Sequence, residues 1–270
     1  MTDFLWQSTP LMGALVFVLG SCVGSFINVV AYRLPIMTQA DTDTSRFNLA
    51  YPPSHCPSCA HVIMPWQNLP IVAYLWLKGR SRCCNQPIAS SYPLTELLTG
   101  AVSVVIFVHL TAALGPLTEF LTALAGALGL FWWLIAIITT SRQHPVSVSP
   151  MWQSLLWLGL LSNLDGQYCP LPEAIGSVCI TLALGRLALH RATQNQDRIH
   201  LITQGIAAGL AWFGSVFLLP LALILLGVGT VKRVVSVWRS AGSEIPMNPT
   251  LRDDQSIVAA ALALSWFVSV

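Results

Sequence analysis

Leu11-Met-Gly-Ala-Leu-Val-Phe-Val-Leu-Gly-Ser-Cys-Val-Gly-Ser-Phe-Ile-Asn-Val-Val-Ala-Tyr32 carries no charged residue and is followed at once by Arg33. A hydrocarbon core of about 30 Å takes about 20 such residues to cross as a helix. A cleaved signal peptide would place a basic segment before a shorter apolar core. No Lys or Arg precedes Leu11, so the stretch is expected to remain as a spanning helix. Runs of the same kind follow at Leu94–Ala113, Leu121–Thr140, Met151–Leu164, Leu171–Leu189, Leu201–Val231 and Ser256–Val270. As one helix, Leu201–Val231 would measure about 46 Å, so it is read as two spans meeting near Gly214-Ser215. The expectation is an all-α polytopic membrane protein with about eight transmembrane helices.

The composition agrees. Apolar residues make up 54% of the 270 and charged residues 9%, against about 25% charged in soluble domains. Disorder, collagen and a small secreted disulfide scaffold are excluded. A net charge of +2 implies no acidic partner and no nucleic acid. With the N-terminus outside, all 13 Lys and Arg, from Arg33 to Arg252, fall in inside loops or, for Arg186, at the inner end of a span. The segments expected outside (Met1–Pro10 and the turns near Gly115, Asp165 and Gly214) contain none. Such sorting is the positive-inside rule, and it places 33–93 in the cytoplasm. The chain thus divides into a first span (1–32), a cytoplasmic loop domain (33–93) and a helical domain (94–270).

The loop holds Cys56-Pro-Ser-Cys59 and, further on, Cys83-Cys84. Two C-x-x-C turns together make a tetrahedral thiolate site for zinc. The first turn has that form. The second is irregular, with Ser81 at one place and two adjacent cysteines that are not expected both to face one ion. Cys56, Cys59 and Cys84 are the leading ligand candidates, Cys83 a weaker one, and His55 or His61 an alternative fourth. The other reading is a former zinc loop held by packing. Cys22, Cys169 and Cys179 lie in or beside spans and read as small core residues.

A carboxylate in a span is a functional candidate because its burial is costly. Glu96 meets that description, beside Tyr92-Pro93. Asp165 and Glu173 read as solvated, and Asp197, Asp253 and Asp254 as weaker candidates near helix ends. Asn28 and Arg33 lie on the first span, Arg33 at its exit, where anchoring among headgroups is the simple explanation. Gly20, Ser21, Gly24 and Ser25 form a small-residue stripe of the kind that lets helices approach closely.

These residues resemble the prepilin leader peptidase/N-methyltransferase family of type IV pilus and type II secretion systems. The resemblance runs through Gly24-Ser-Phe-Ile-Asn-Val-Val-Ala-Tyr-Arg-Leu-Pro35, Ser54-His-Cys-Pro-Ser-Cys59 and Pro65-Trp-Gln-Asn-Leu-Pro70. It continues through Tyr74-Leu-Trp-Leu-Lys-Gly-Arg80, Pro87-Ile88 and Tyr92-Pro-Leu-Thr-Glu-Leu-Leu-Thr-Gly100. In the second half, Leu155-Leu-Trp-Leu-Gly-Leu-Leu161 and Ile245-Pro-Met-Asn-Pro249 are similar. The resemblance implies a bacterial inner-membrane protein acting on prepilins or pseudopilins, with S-adenosylmethionine as methyl donor. It associates methyl transfer with the loop and adjoining helices, where Asn28, Arg33 and Glu96 survive.

The family's peptidase centre is a pair of membrane-boundary aspartates, one acting as base while its protonated neighbour polarises the scissile carbonyl. At the aligned positions this chain has Ser141 and Arg198, which cannot share a proton in that way. Peptidase activity is therefore expected to be lost. Other readings are an active enzyme using displaced acids, among them Asp197, Asp253 and Asp254, or a non-catalytic pilin-binding or assembly-associated membrane protein. A transporter is disfavoured because no span offers a charged pathway.

Overall fold

The computed structural model describes residues 2–39, 46–113, 117–142, 145–164, 166, 168–191, 196–218, 221 and 251–269. Among these the architecture is helical, with isolated β-bridges at His55–Val62 and Arg80–Pro87. Five helices are long and apolar enough to cross a membrane, at Pro10–Met37, Ser91–Ala112, Leu117–Ser141, Leu171–Arg191 and Gln196–Phe217. By packing, the chain divides into two units, Met1–Gln143 and His144–Val270.

In the first unit, helix α1 spans Thr2–Met37, so it runs past Tyr32, where the span was expected to end. Pro35 removes one intrahelical hydrogen bond without stopping the helix. The Thr38 N–H donates to Leu34 O at 3.1 Å and the Thr38 hydroxyl to Pro35 O at 2.9 Å. The short helix α2 spans Val72–Trp76, α3 spans Ser91–Ala113 and α4 spans Leu117–Ser141. Helix α1 packs chiefly on α3, and the small-residue stripe is the reason. A Cβ on Gly24 would stand 2.7 Å from the Glu96 Cα, a separation that only glycine permits. Trp132 of α4 donates its indole N–H to the Ser103 hydroxyl of α3 at 2.8 Å.

The second unit contains α5 (Ser149–Ser162), α6 (Leu171–Arg191), α7 (Gln196–Phe213) and α8 (Leu251–Ser269). Trp212 of α7 is buried and donates its indole N–H to Leu155 O at 2.9 Å. Asn163, fully buried after α5, gives its amide to the carbonyls of Ala211 and Trp212 at 2.9 and 2.8 Å. Helix α7 stops at Phe213, and Gly214 takes φ +54° to open a 3-10 turn. Glu173 holds that turn by accepting the N–H and hydroxyl of Ser215 at 2.9 and 2.7 Å. The break falls where the long apolar run was expected to divide. The rest of that run, and Lys232, Arg233 and Arg239 after it, lie outside the described residues. At 14 residues, α5 is about 21 Å long, short of a full crossing.

Candidate functional site

Two turns of the loop are built on one plan. In the first, the Cys56 N–H donates to His61 O at 2.8 Å and the Ala60 N–H to Cys56 O at 2.9 Å. In the second, the Ser81 N–H donates to Gln86 O at 2.8 Å and the Asn85 N–H to Ser81 O at 2.9 Å. Ala60 and Asn85 occupy matching left-handed positions, with φ 56° and 58°. Each turn is closed by its own β-bridge. Ser81 therefore stands where the first turn has Cys56, and Cys84 where it has Cys59. The missing sulfur comes from Cys83. Contrary to the expectation from adjacency, Cys83 and Cys84 converge on the same point.

The Sγ atoms of Cys56, Cys59, Cys83 and Cys84 all lie within 4.8 Å of one another. Cys56 is 3.6 Å from Cys84, Cys59 is 3.3 Å from Cys83, and Cys83 is 3.9 Å from Cys84. Tetrahedral Zn–S bonds of about 2.3 Å set sulfurs about 3.8 Å apart. The four sulfurs could hold a metal ion of that size, with neither His55 nor His61 needed. Backbone N–H groups of Ser58 and Cys59 lower the Cys56 thiol to about 6. The His61 N–H pulls Cys59 the same way, yet Cys83, desolvation, Cys56 and Cys84 together raise it to about 12. One negative charge is thus easily held, and further thiolates call for a cation among them.

The end of α1, the loop and the start of α3 enclose a cavity of about 840 Å³ lined by Asn28, Arg33 and Glu96. Ligand sites commonly measure about 300–1,000 Å³. Glu96 is buried and accepts the Ile71 N–H at 2.7 Å, and the Ser25 hydroxyl bonds to it as well. Ile71 holds φ 61°, an uncommon conformation for a β-branched residue. Asn28 donates its amide to Tyr92 O at 3.2 Å, tying α1 to α3 at the cavity wall. Aromatic walls come from Tyr32, Trp66, Tyr74 and Tyr92.

Arg33 is not a headgroup anchor. It is 5% exposed and donates to Asn48 O at 2.8 Å and Pro52 O at 2.6 Å. Its guanidinium lies 5.7 Å from the centre of the Phe47 ring. Sequence reasoning singled out all three of Asn28, Arg33 and Glu96. It missed Ser25 and Ile71 as partners of Glu96, although Ser25 belongs to the Gly24–Pro35 stretch and Ile71 directly follows Pro65–Pro70.

The other candidates lie on three further helices. Ser141 closes α4, fully buried, and its hydroxyl donates to Ile138 O at 3.0 Å. Asp197 is exposed in the first turn of α7, next to Arg198. Asp253 and Asp254 belong to the first turn of α8, and their side chains lie outside the described residues.

The Bacterial Peptidase A24 N-terminal domain family matches residues 18–110, a segment containing α1 from Val18, the loop and most of α3. No solved structure matches the chain. Across 86% of its length the chain is 37% identical to the prepilin leader peptidase/N-methyltransferase of Pectobacterium carotovorum subsp. carotovorum, covering 85% of that protein. Identity to the protein of the same name from Aeromonas salmonicida (strain A449) is 35%, over 95% of this chain and 91% of the relative. For Pseudomonas putida it is 32%, over 97% and 93%. Identity at this level along nearly the whole length means that the chain belongs to the prepilin leader peptidase/N-methyltransferase family.

Proposed function

We propose that this chain retains the methyl-transfer half of the activity its relatives are named for, and lacks the peptidase half. It would act on the N-termini of prepilins or pseudopilins in the bacterial inner membrane, with eight spans and with 33–93 in the cytoplasm. The observation that carries this reading is the cavity of about 840 Å³ with the buried Glu96 carboxylate in its wall. At the aligned peptidase positions, by contrast, a hydroxyl and a guanidinium stand in for two carboxylates.

The cavity suits S-adenosylmethionine in size and chemistry. Its aromatic walls match an adenine and a sulfonium, and Glu96 supplies the one buried carboxylate among the described lining residues. The cofactor would supply the methyl group. The α-amino group of the substrate must be held neutral and must shed a proton as it is methylated. Glu96 is the residue for that proton. Asn28 fixes the α1–α3 gap beside it, and Arg33 holds the loop over it. Zinc on the four cysteines would pin the two loop turns together as a structural ion.

The test uses the purified full-length protein with radiolabelled S-adenosylmethionine and a peptide matching a mature pilin N-terminus. Label should enter the peptide's α-amino group, while an intact prepilin should stay uncleaved. Absence of transfer would overturn the methylation reading and favour a pilin-binding role. Cleavage abolished by Asp197→Asn together with Asp253→Asn or Asp254→Asn would show that the peptidase acids have moved.

A further inference from the structure

Helix α2 has two faces. Ala73, Tyr74 and Leu77 line the cavity, whereas Val72, Leu75 and Trp76 are 58%, 69% and 67% exposed and do not line it. Positions 72, 75 and 76 share one helical face by their spacing. Three large apolar side chains on one short turn demand a neighbour.

The depth of this turn follows from a single hydrogen bond. Ile71, the residue just before α2, donates its N–H to Glu96. Glu96 lies five residues into α3 from Ser91, about 8 Å along the axis of a helix able to cross the bilayer. Leu94, Leu97 and Leu98 of α3 are themselves 62%, 48% and 50% exposed, as expected where a span meets lipid. Helix α2 therefore begins level with the first turns of a spanning helix, at the depth of the headgroups. Trp is enriched at that depth, where its ring sits partly in hydrocarbon.

Charge identifies the surface it meets. From Arg46 to Thr95 the sequence contains Arg46, Lys78, Arg80 and Arg82, and no Asp or Glu. Lys78, Arg80 and Arg82 are exposed directly after α2. Apolar side chains next to a wholly basic segment match a membrane surface bearing anionic lipids.

We propose that Val72, Leu75 and Trp76, flanked by Lys78, Arg80 and Arg82, insert the loop into anionic phospholipid headgroups beside α3. The loop is then held against the bilayer by the face of α2 that does not line the cavity.

Photo-crosslinking of the full-length protein in nanodiscs tests this. Leu75 or Trp76 would be replaced by p-benzoylphenylalanine, with Leu97 as a lipid-facing reference. In phosphatidylglycerol-containing discs, radiolabelled phospholipid should attach at 75 and 76 within about threefold of the yield at 97. Adding Lys78→Glu, Arg80→Glu and Arg82→Glu should lower the yield at 76 at least fivefold. Pure phosphatidylcholine discs should give a similar reduction for the otherwise unchanged chain. Crosslinks to protein in place of lipid would overturn the proposal, and equal yields in both disc types would overturn its anionic part. The unlabelled protein gives an independent measure: lipids brominated near the headgroup should quench Trp emission less after Trp76→Phe. Unchanged quenching would count against insertion.

Discussion

Glu96 has one job in the fold and a second in the proposed reaction. Its carboxyl group accepts the N–H of Ile71, which holds φ 61°, and it lines the cavity. Glu96→Gln keeps an acceptor for the Ile71 N–H and removes the group proposed to take the proton. We expect folding stability to fall by about 1 kcal/mol or less and methyl transfer by about 100-fold or more. Calorimetry and the radiolabel assay read the two separately. Gly24→Ala reverses the pattern. The added methyl meets the backbone of α3 at Glu96, which cannot rotate away, so a cost of about 1–3 kcal/mol is expected. The candidate carboxylate was visible in the sequence because an acid in an apolar run is conspicuous. Its partners were not, since Ile71 is 25 residues away and the pairing exists only once the loop folds back on α3.

At the level of elements, the loop turns show where spacing misleads. Adjacent cysteines were expected to diverge, as they would in extended chain. The left-handed Asn85 ends a turn in which Cys83 substitutes for a sulfur that Ser81 lacks. Residue order alone conceals that substitution, whereas the repeated hydrogen-bond pattern reveals it. We predict close to one zinc per chain by elemental analysis, with Cys56→Ser or Cys83→Ser losing most of it. Chelation should lower the melting temperature of the whole chain. Because protons compete with the ion for thiolates, zinc affinity should fall as pH falls. A chain that folds with equal stability and no metal would mean that packing alone holds the loop.

The broad architecture was the most legible part, because transfer of apolar residues into lipid depends on composition more than on contacts. Among the described residues five helices are long and apolar enough to cross, and α7 breaks at the glycine where the overlong run was expected to divide. Element ends were less legible: α1 continues through Pro35 to Met37, because one missing hydrogen bond does not stop a helix. The sidedness expected from 13 basic residues can be checked in intact cells. A membrane-impermeant maleimide should leave Cys59 and Cys83, both exposed in the folded loop, unlabelled until the inner membrane is breached. Labelling in intact cells would invert the topology.

Arg33 also links insertion to maturation in time. By the positive-inside rule its positive charge is expected to help set the orientation of the first helix as the chain is made. In the folded loop the same guanidinium is buried and donates to the carbonyls of Asn48 and Pro52. Lysine would serve the first stage equally well, having the charge but not the two-pronged donor. A chain carrying Arg33→Lys should therefore enter the membrane the right way round and still assemble its loop badly, a defect of quality control rather than of targeting.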